Sequence, residues 1–198
     1  MDKKGMNLMS ETIEIEFKNL LTKIEYETLL KAFHVEEKAI FSQTNHYFDT
    51  PVFALKDKGS ALRIREKSNS FEMTLKQPAA IGLLETTQLL SAKEFQTAVQ
   101  YHKFPKGIVH DRLEQLKIIV ESIEYFGSLT TRRVEFPYKA GLLVLDHSLY
   151  LNTEDYEIEY EVEDFHRGQI VFQELLKQYA IPIRITQNKI ARFYQQKL

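Results

Sequence analysis

Charged and apolar side chains alternate near the start of the chain. Glu14, Glu16 and Lys18 occupy every second position, with Ile15 and Phe17 between them. A β-strand would place the two carboxylates and the ammonium group on one face. Carboxylates spaced about 7 Å apart along a strand repel one another unless water or a cation lies between them. The segment is therefore either an ordinary solvated strand face or part of a cation site.

A second acidic segment stands late in the chain. Glu157, Glu159 and Glu161 alternate with Ile158 and Tyr160, which predicts another strand with three carboxylates on one face. The two acidic strands thus lie near opposite ends of the sequence. They can form one site only if the fold brings the first and last strands together.

Basic side chains lie on the strands between them. Arg63, Arg65 and Lys67 share one face of a predicted strand over 61–67, and Ser68-Asn69-Ser70 turns the chain back. The return strand, 71–76, has a mixed polar face made by Glu72, Thr74 and Lys76. A later strand carries Arg133. Guanidinium groups bind phosphate oxygens in two-point contacts, so these strands favour an anionic ligand.

Helices and turns separate these strands. Two capping boxes, at Thr22–Glu25 and Ser91–Glu94, predict helices that end near Phe33 and His102. Further helices are predicted at 109–116, at 166–179 with Ile170 on the buried side, and over the tail from 186 to 194. The remaining strands are predicted at about 11–20, 38–48, 84–87, 127–136, 142–146 and 156–162.

Strands joined mainly by hairpins, with helices between groups of strands, indicate an α+β fold. We expect a closed antiparallel β-barrel of about eight strands forming a charged tunnel, with the helices packed outside. Its interior would contain Arg63, Arg65, Lys76, Arg133 and Lys18 beside Glu14, Glu16, Glu157, Glu159 and Glu161. Buried charges of this kind are costly unless anions and cations fill the space, which predicts a metal-bound polyphosphate ligand.

Composition restricts the class of protein. The 198 residues suit one domain, 1–198, in which we expect 1–10 to be flexible. There is no cysteine, so neither a disulfide nor a thiolate ligand can form. A net charge of −2 predicts no nucleic-acid partner, and no segment has the length or apolarity of a membrane span. We therefore expect a cytoplasmic protein.

The order of these motifs resembles the CYTH superfamily, the triphosphate tunnel metalloenzymes, whose members include class IV adenylyl cyclases and thiamine triphosphatases. The resemblance runs from about residue 11 to 195 and begins with the Glu14-x-Glu16-x-Lys18 signature. The motifs that follow are Tyr47-Phe48-Asp49-Thr50, Leu62-Arg63-Ile64-Arg65, Thr74-Leu75-Lys76, Arg133-x-x-Phe136, Leu145-Asp146, Glu157-x-Glu159 and Asn188-Lys189. The Gly82-Leu83-Leu84-Glu85 segment is most similar to small bacterial members.

The resemblance implies a division of roles. Six basic residues would bind the substrate: Lys18, Arg63, Arg65, Lys76, Arg133 and Lys189. Six acidic residues would hold Mg²⁺ or Mn²⁺: Glu14, Glu16, Asp146, Glu157, Glu159 and Glu161. Catalysis would depend most directly on Glu14, Glu16, Glu159 and Lys189. Three further residues would belong to the site, Glu85, Glu72 and Lys67, the last two near the rim of the tunnel. Mg²⁺ and Mn²⁺ prefer such oxygen ligands.

Three functions are compatible with this pattern. The first is metal-dependent hydrolysis of a triphosphate, with inorganic tripolyphosphate favoured because we expect no Asn or Gln beside the arginines to recognise a base. The second is a class IV-type adenylyl cyclase, and the third is a non-catalytic sensor of polyphosphate or nucleotide. The partner would be a small-molecule triphosphate or polyphosphate, and the protein a monomer or homodimer.

Overall fold

Eight antiparallel β-strands form the frame of the protein in this computed structural model, which describes residues 9–197. The strands are β1 (Met9–Leu21), β2 (Phe41–Asp49), β3 (Ala61–Lys67), β4 (Ser70–Pro78), β5 (Leu83–Leu90), β6 (Glu124–Tyr138), β7 (Gly141–Tyr150) and β8 (Thr153–Val162). They close into a barrel in the order β1-β5-β4-β3-β2-β6-β7-β8. Closure makes the first and last strands neighbours, as the predicted α+β barrel requires, and that fold is confirmed.

The helices are α1 (Lys23–Ala32), α2 (Ala54–Asp57), α3 (Ala92–Tyr101), α4 (Ile108–Gln115), α5 (Phe165–Gln178) and α6 (Lys189–Lys197). Both predicted capping boxes are present. The side chain of Thr22 accepts a hydrogen bond from the backbone of Glu25, whose carboxylate accepts one from the backbone of Thr22. Ser91 and Glu94 do the same at the start of α3. These reciprocal bonds satisfy donors that the helix itself leaves unpaired.

Several local predictions differ from the structure. The tail helix begins at Lys189 and not at 186, and β6 is longer than predicted at both ends. β2 begins at Phe41 and not near Lys38, because Glu37–Ala39 form a 3₁₀ turn. Ile170 is 59% exposed, so α5 is rotated such that other apolar residues contact the core. Of residues 1–10, for which flexibility was expected, 1–8 lie outside the described residues, whereas 9 and 10 open β1.

The described chain divides into two compact units. The first comprises residues 9–13 and 45–127, and the second comprises 14–44 and 128–197. Each unit has its own hydrophobic core. The assignment of the whole chain to one domain stays a prediction.

In the second unit, α1 and α5 cover one face of the strands. Leu143, Leu145, Ile158 and Tyr160 are fully buried in the core that includes these helices. Because side chains alternate across a strand, the intervening charged residues of β7 and β8 lie on the opposite face. α5 approaches the strands closely at Gly168, where a Cβ would lie 2.5 Å from Cγ2 of Val162 and overlap it.

In the first unit, α2, α3 and α4 pack against β3 and β4. Leu62, Ile64, Met73 and Leu75 are fully buried, so the arginines of β3 lie on the other face. The buried carboxylate of Asp49 fixes the connection that leads into β3. It accepts hydrogen bonds from the backbone nitrogens of Thr50, Leu55 and Lys56, at 2.7, 2.9 and 3.1 Å.

Candidate active site

Strand register determines which charged residues of the second unit become neighbours. β1 and β8 pair so that Glu16 lies opposite Glu161 and Lys18 lies opposite Glu159. In β7, Asp146 lies opposite both Arg133 of β6 and Glu157 of β8. All of these side chains are on the strand face away from α1 and α5. The two acidic ends of the sequence are therefore joined in this unit.

Arg133 binds two carboxylates at once. Its Nε and Nη2 atoms donate to the two oxygens of Asp146, at 2.8 and 2.6 Å, and Nη2 also donates to Glu159 at 2.7 Å. The three side chains are buried, so the pairing compensates for the loss of their hydration. Burial alone would lower the pKa of Arg133, but Asp146 and Glu159 raise it well above its usual range.

Lys189, the first residue of α6, reaches the same carboxylates. Its Nζ atom lies 2.8 Å from Asp146 and 2.6 Å from Glu157, and it also contacts Glu159. Burial opposes the charge of the ammonium group, yet the three carboxylates raise its pKa well above the usual range. Sequence spacing alone does not place this residue beside β7 and β8, whereas the packing of α6 does.

Arg192 belongs to the same network, although it was not among the predicted site residues. It lies one turn after Lys189, and its Nη1 atom is 2.6 Å from Glu157. Its Nε and Nη2 atoms donate to the two oxygens of Asp155, at 2.9 and 3.3 Å. Residues three apart lie on the same face of a helix, so the spacing from Lys189 was a usable signal.

The carboxylates of this network differ in proton affinity. Burial raises the pKa of Glu157 to about 7, an effect that Lys189 and Arg192 oppose and Glu159 reinforces. Burial also acts to raise the pKa of Glu159, but Lys189 and Arg133 together hold it well below its usual range. Glu159 is therefore the ionised centre of the network, between two buried cations.

A different arrangement occurs at Glu14, Glu16 and Glu161. One oxygen from each lies within 4.8 Å of the other two, and all three side chains are half-buried. Burial, followed by the charge of Glu14, raises the pKa of Glu161 to about 7. Like charges at this spacing destabilise the ionised form unless a cation joins them.

Lys18 lies beside both groups of carboxylates. Its Nζ atom is 2.5 Å from Glu16. Burial would lower its pKa, but Glu16, Glu159 and Glu157 raise it overall. The ammonium group is consequently charged and held on the carboxylate-bearing face.

The arginines of the first unit have different surroundings. Arg63 and Arg65 are half-buried on the polar face of β3. The Nε atom of Arg63 is buried and has no hydrogen-bond partner among residues 9–197. The Nε atom of Arg65 donates to Asn45 of β2 at 3.1 Å. The expectation that no Asn stands beside the arginines was wrong. Asn45 and Arg65 are 20 positions apart in the sequence, but β2 and β3 are neighbouring strands.

The remaining predicted residues of the first unit are also on β3, β4 and β5. Lys76 lies opposite Glu85, and the two side chains form an ion pair. Glu72 lies opposite Arg65, and Lys67 ends β3 opposite Ser70. All four side chains are half-buried. Glu85 and Glu72 thus each adjoin a predicted substrate-binding residue.

The six predicted metal ligands form two groups with different chemistry. Asp146, Glu157 and Glu159 already have protein cations as partners. Glu16 contacts Lys18 as well, but one oxygen from each of Glu14, Glu16 and Glu161 also lies within 4.8 Å of the other two. Sequence spacing could not distinguish the two groups, since both follow the same alternating pattern.

Within residues 9–197, no helix combines the length and apolarity needed to cross a membrane.

Known proteins provide an independent comparison. A Bacillus subtilis (strain 168) protein named "Putative triphosphatase YjbK" is 52% identical over 189 residues, which cover 96% of this chain and 98% of that protein. A crystal structure from Bacillus halodurans, described as a "putative adenylate cyclase", is 46% identical, with a TM-score of 0.91 and coverage of 93% and 98%.

A more distant structure is that of HpAC1 from Hippeastrum, described as a putative adenylyl cyclase with a dominant triphosphatase activity. It has a TM-score of 0.76 at 23% identity, covering 94% of this chain and 97% of its own, and shows the shared fold. The CYTH domain profile matches residues 12–194, which include nearly all of the described strands and helices. The chain therefore belongs to the CYTH domain family.

Proposed function

We propose that the protein is a metal-dependent hydrolase of triphosphate-bearing molecules and that its substrate is inorganic tripolyphosphate. The proposal depends chiefly on Glu14, Glu16 and Glu161, whose oxygens lie within 4.8 Å of one another on a half-buried face. Burial, together with repulsion from Glu14, raises the pKa of Glu161, and a divalent cation would offset that repulsion. The name of the Bacillus subtilis relative supports a triphosphatase activity.

These three residues fit a hard divalent ion. They offer only carboxylate oxygens, which Mg²⁺ and Mn²⁺ prefer, and their partial exposure leaves room for water ligands. When bound, such an ion would offset the charge of phosphate oxygens and lower the pKa of a coordinated water. Magnesium and manganese are equally compatible with this ligand set.

The buried network would position the cations that act on the substrate. Glu159 and Asp146 hold Arg133 through its Nε and Nη2 atoms, so the Nη1 hydrogens are available to a phosphate oxygen. Lys189 has three donor hydrogens and three carboxylate partners. A phosphate oxygen that contacts Lys189 must therefore replace one of these carboxylates. This contact thus depends on how strongly the carboxylates hold the ammonium group.

Arg63 would supply a further phosphate contact. Its buried Nε atom lacks a hydrogen-bond partner among the described residues, which is costly in the free protein. An anionic oxygen would satisfy that donor. Arg65 and Lys76 would contribute as neighbours, while Asn45 and Glu85 orient them. Orientation of charged groups before binding is the main contribution that a protein makes to phosphoryl transfer.

A phosphate-release assay tests the proposal. The full chain would be incubated with tripolyphosphate, ATP and thiamine triphosphate, each with Mg²⁺, with Mn²⁺ and with excess chelator. We expect metal-dependent cleavage of tripolyphosphate at least as efficient as that of ATP. Glu161→Gln should lower kcat by about 100-fold or more, whereas Glu163→Gln, an exposed neighbour, should not.

A second candidate is the cyclase reaction, because the Bacillus halodurans relative is described as an adenylate cyclase. Chromatography of the ATP products distinguishes the two reactions. ADP and phosphate support the hydrolase, while cyclic AMP and diphosphate as main products would establish the cyclase instead. Tight binding of tripolyphosphate without any turnover would indicate the sensor function. A cytoplasmic location and a monomeric or dimeric state stay predictions.

A further inference from the structure

Helix α4 carries a group of potential metal ligands that the proposed reaction does not use. His110, Asp111 and Glu114 each offer one ligand atom, and these atoms lie within 4.8 Å of one another. The Nδ1 atom of His110 is 3.5 Å from Oε1 of Glu114. All three residues belong to the first unit and share one helix, so their arrangement depends on local structure.

The histidine of this group is unusual in its surroundings. His110 is only 3% exposed, and its Nδ1 atom is buried without a hydrogen-bond partner in the described part of the chain. The 3.5 Å approach of Glu114 is too long for a good hydrogen bond. Buried polar atoms are nearly always bonded, and an absent ion is one recognised reason for an exception. The unpaired nitrogen faces a carboxylate with which it could share such an ion.

The separation of the two atoms suits metal coordination. An ion bound at about 2.0–2.1 Å by tetrahedral ligands holds neighbouring donor atoms about 3.3–3.4 Å apart. Nδ1 of His110 and Oε1 of Glu114 are already at 3.5 Å. Asp111 and Glu114 are exposed, so their side chains can adjust and water can complete the coordination.

The backbone that carries these ligands is fixed in place. Val109 and Leu113, on the same helix, are fully buried. At the start of the helix, Gln88 donates to the carbonyl of Lys106 at 3.2 Å. Gly107 follows with a φ of +145°, and a Cβ there would lie 2.2 Å from Oε1 of Gln88. The close packing of β5 against this turn therefore sets the position of His110 before any ion binds.

We propose that His110, Asp111 and Glu114 form a second cation site, selective for a divalent transition metal such as Zn²⁺. One imidazole nitrogen with two carboxylate oxygens favours Zn²⁺, Ni²⁺ or Co²⁺ over Mg²⁺ and Ca²⁺, which prefer oxygen ligands alone. The ammonium group of Lys106 lies 3.5 Å from the same Oε1 atom of Glu114. The ion would replace this exposed ion pair, which contributes little to stability.

Calorimetric titration of the chelator-treated full chain with Zn²⁺ tests the site. Both Glu114→Gln and His110→Asn should weaken one binding event by at least tenfold. Because Glu114 is exposed, Glu114→Gln should fold normally. It therefore tests the site even if replacement of the buried His110 prevents folding. Two control variants should keep this Zn²⁺-binding event. His102→Asn removes a histidine outside the cluster, and Glu161→Gln changes the separate group formed by Glu14, Glu16 and Glu161.

Nitrogen chemical shifts of the histidine side chains give a readout independent of activity. On addition of Zn²⁺, Nδ1 of His110 should shift in the wild type and in Glu161→Gln but not in Glu114→Gln. Equal Zn²⁺ affinity in the wild type and Glu114→Gln would overturn the proposal, as would a shift confined to other histidines. Neither result bears on triphosphate cleavage.

Discussion

Protonation of Glu161 should weaken metal-ion binding. Its pKa of about 7 comes from burial and from the charge of Glu14, so the free carboxyl is largely protonated below pH 7. A metal ion needs the ionised form. We therefore expect Mn²⁺ affinity to fall below pH 7, approaching about tenfold per pH unit. Calorimetry between pH 5.5 and 8.5 measures the Mn²⁺ affinity. If Glu161→Gln binds Mn²⁺ as tightly as the wild type and with the same pH dependence, the prediction is wrong.

The same carboxyl should affect the stability of the metal-free protein. Its pKa is raised above the unfolded value of 4.5, so its contribution to stability is full below pH 4.5 and is lost as pH rises through 7. Glu161→Gln removes the repulsion that develops over this range. In chelator, this variant should therefore melt higher than the wild type at pH 8, with a smaller difference at pH 5.5. Destabilisation at pH 8 would show that Glu161 has a structural role.

Arg63 allows binding to be separated from folding. Its buried Nε atom has no hydrogen-bond partner in the described residues, so Arg63→Met should leave the stability of the free protein unchanged or raise it. The same variant should weaken tripolyphosphate binding by about tenfold or more. Thermal melts and calorimetry measure the two effects. Arg132→Met, which removes an exposed partner of Glu37, should leave affinity unchanged.

At the scale of elements, α6 is the part of the chain that brings Lys189 to the carboxylates. Asn188 caps the helix by accepting a hydrogen bond from the backbone of Ala191 at 2.9 Å. Arg192 then joins the helix to Asp155 and Glu157 of β8. Lys189 and Arg192 hold opposite oxygens of the Glu157 carboxylate. Arg192 should therefore act on the site through Glu157 and Lys189.

Arg192→Gln should reduce kcat by about 10- to 100-fold with a smaller change in KM, because it loosens Glu157 and Lys189 without removing them. Arg184→Gln is a matched control. Arg184 also pairs with one carboxylate in a two-point contact, with Glu25 at 2.8 and 2.9 Å, and also donates to a backbone carbonyl.

Both variants should lower the melting temperature by similar amounts, since each releases a tail contact. Only Arg192→Gln should change kcat. Its effect should also be non-additive with Lys189→Ala, as expected for residues in one network. Equal losses of kcat in the two arginine variants would mean that Arg192 merely anchors the tail.

At the scale of the whole molecule, ligand and ion together should stabilise the fold more than either alone. A non-hydrolysable imido analogue of tripolyphosphate at 100 times its Kd should add about 2.7 kcal/mol to the free energy of unfolding in the presence of Mg²⁺. In chelator the gain should be much smaller, because the carboxylates would repel the anion. Scanning calorimetry measures both conditions. Equal gains would show that binding does not require the metal.

The sequence by itself determined the alternating faces and most element boundaries. Period-two alternation separates Glu157 and Glu159 from Ile158 whatever surrounds the strand, and a capping box such as Thr22–Glu25 needs only local backbone geometry. The closed barrel was also predicted from the pattern, because most strands are apolar on one face and charged on the other.

Only the tertiary structure decided which charges meet. Register pairs Glu16 with Glu161, and helix packing brings Lys189 to Glu159, so one set of carboxylates converges while the other is neutralised. Arg192 contacts Glu157, and in the other unit Asn45 contacts Arg65, for the same reason. These contacts link residues far apart in the chain, and their energies depend on burial and distance, which a one-dimensional pattern does not contain.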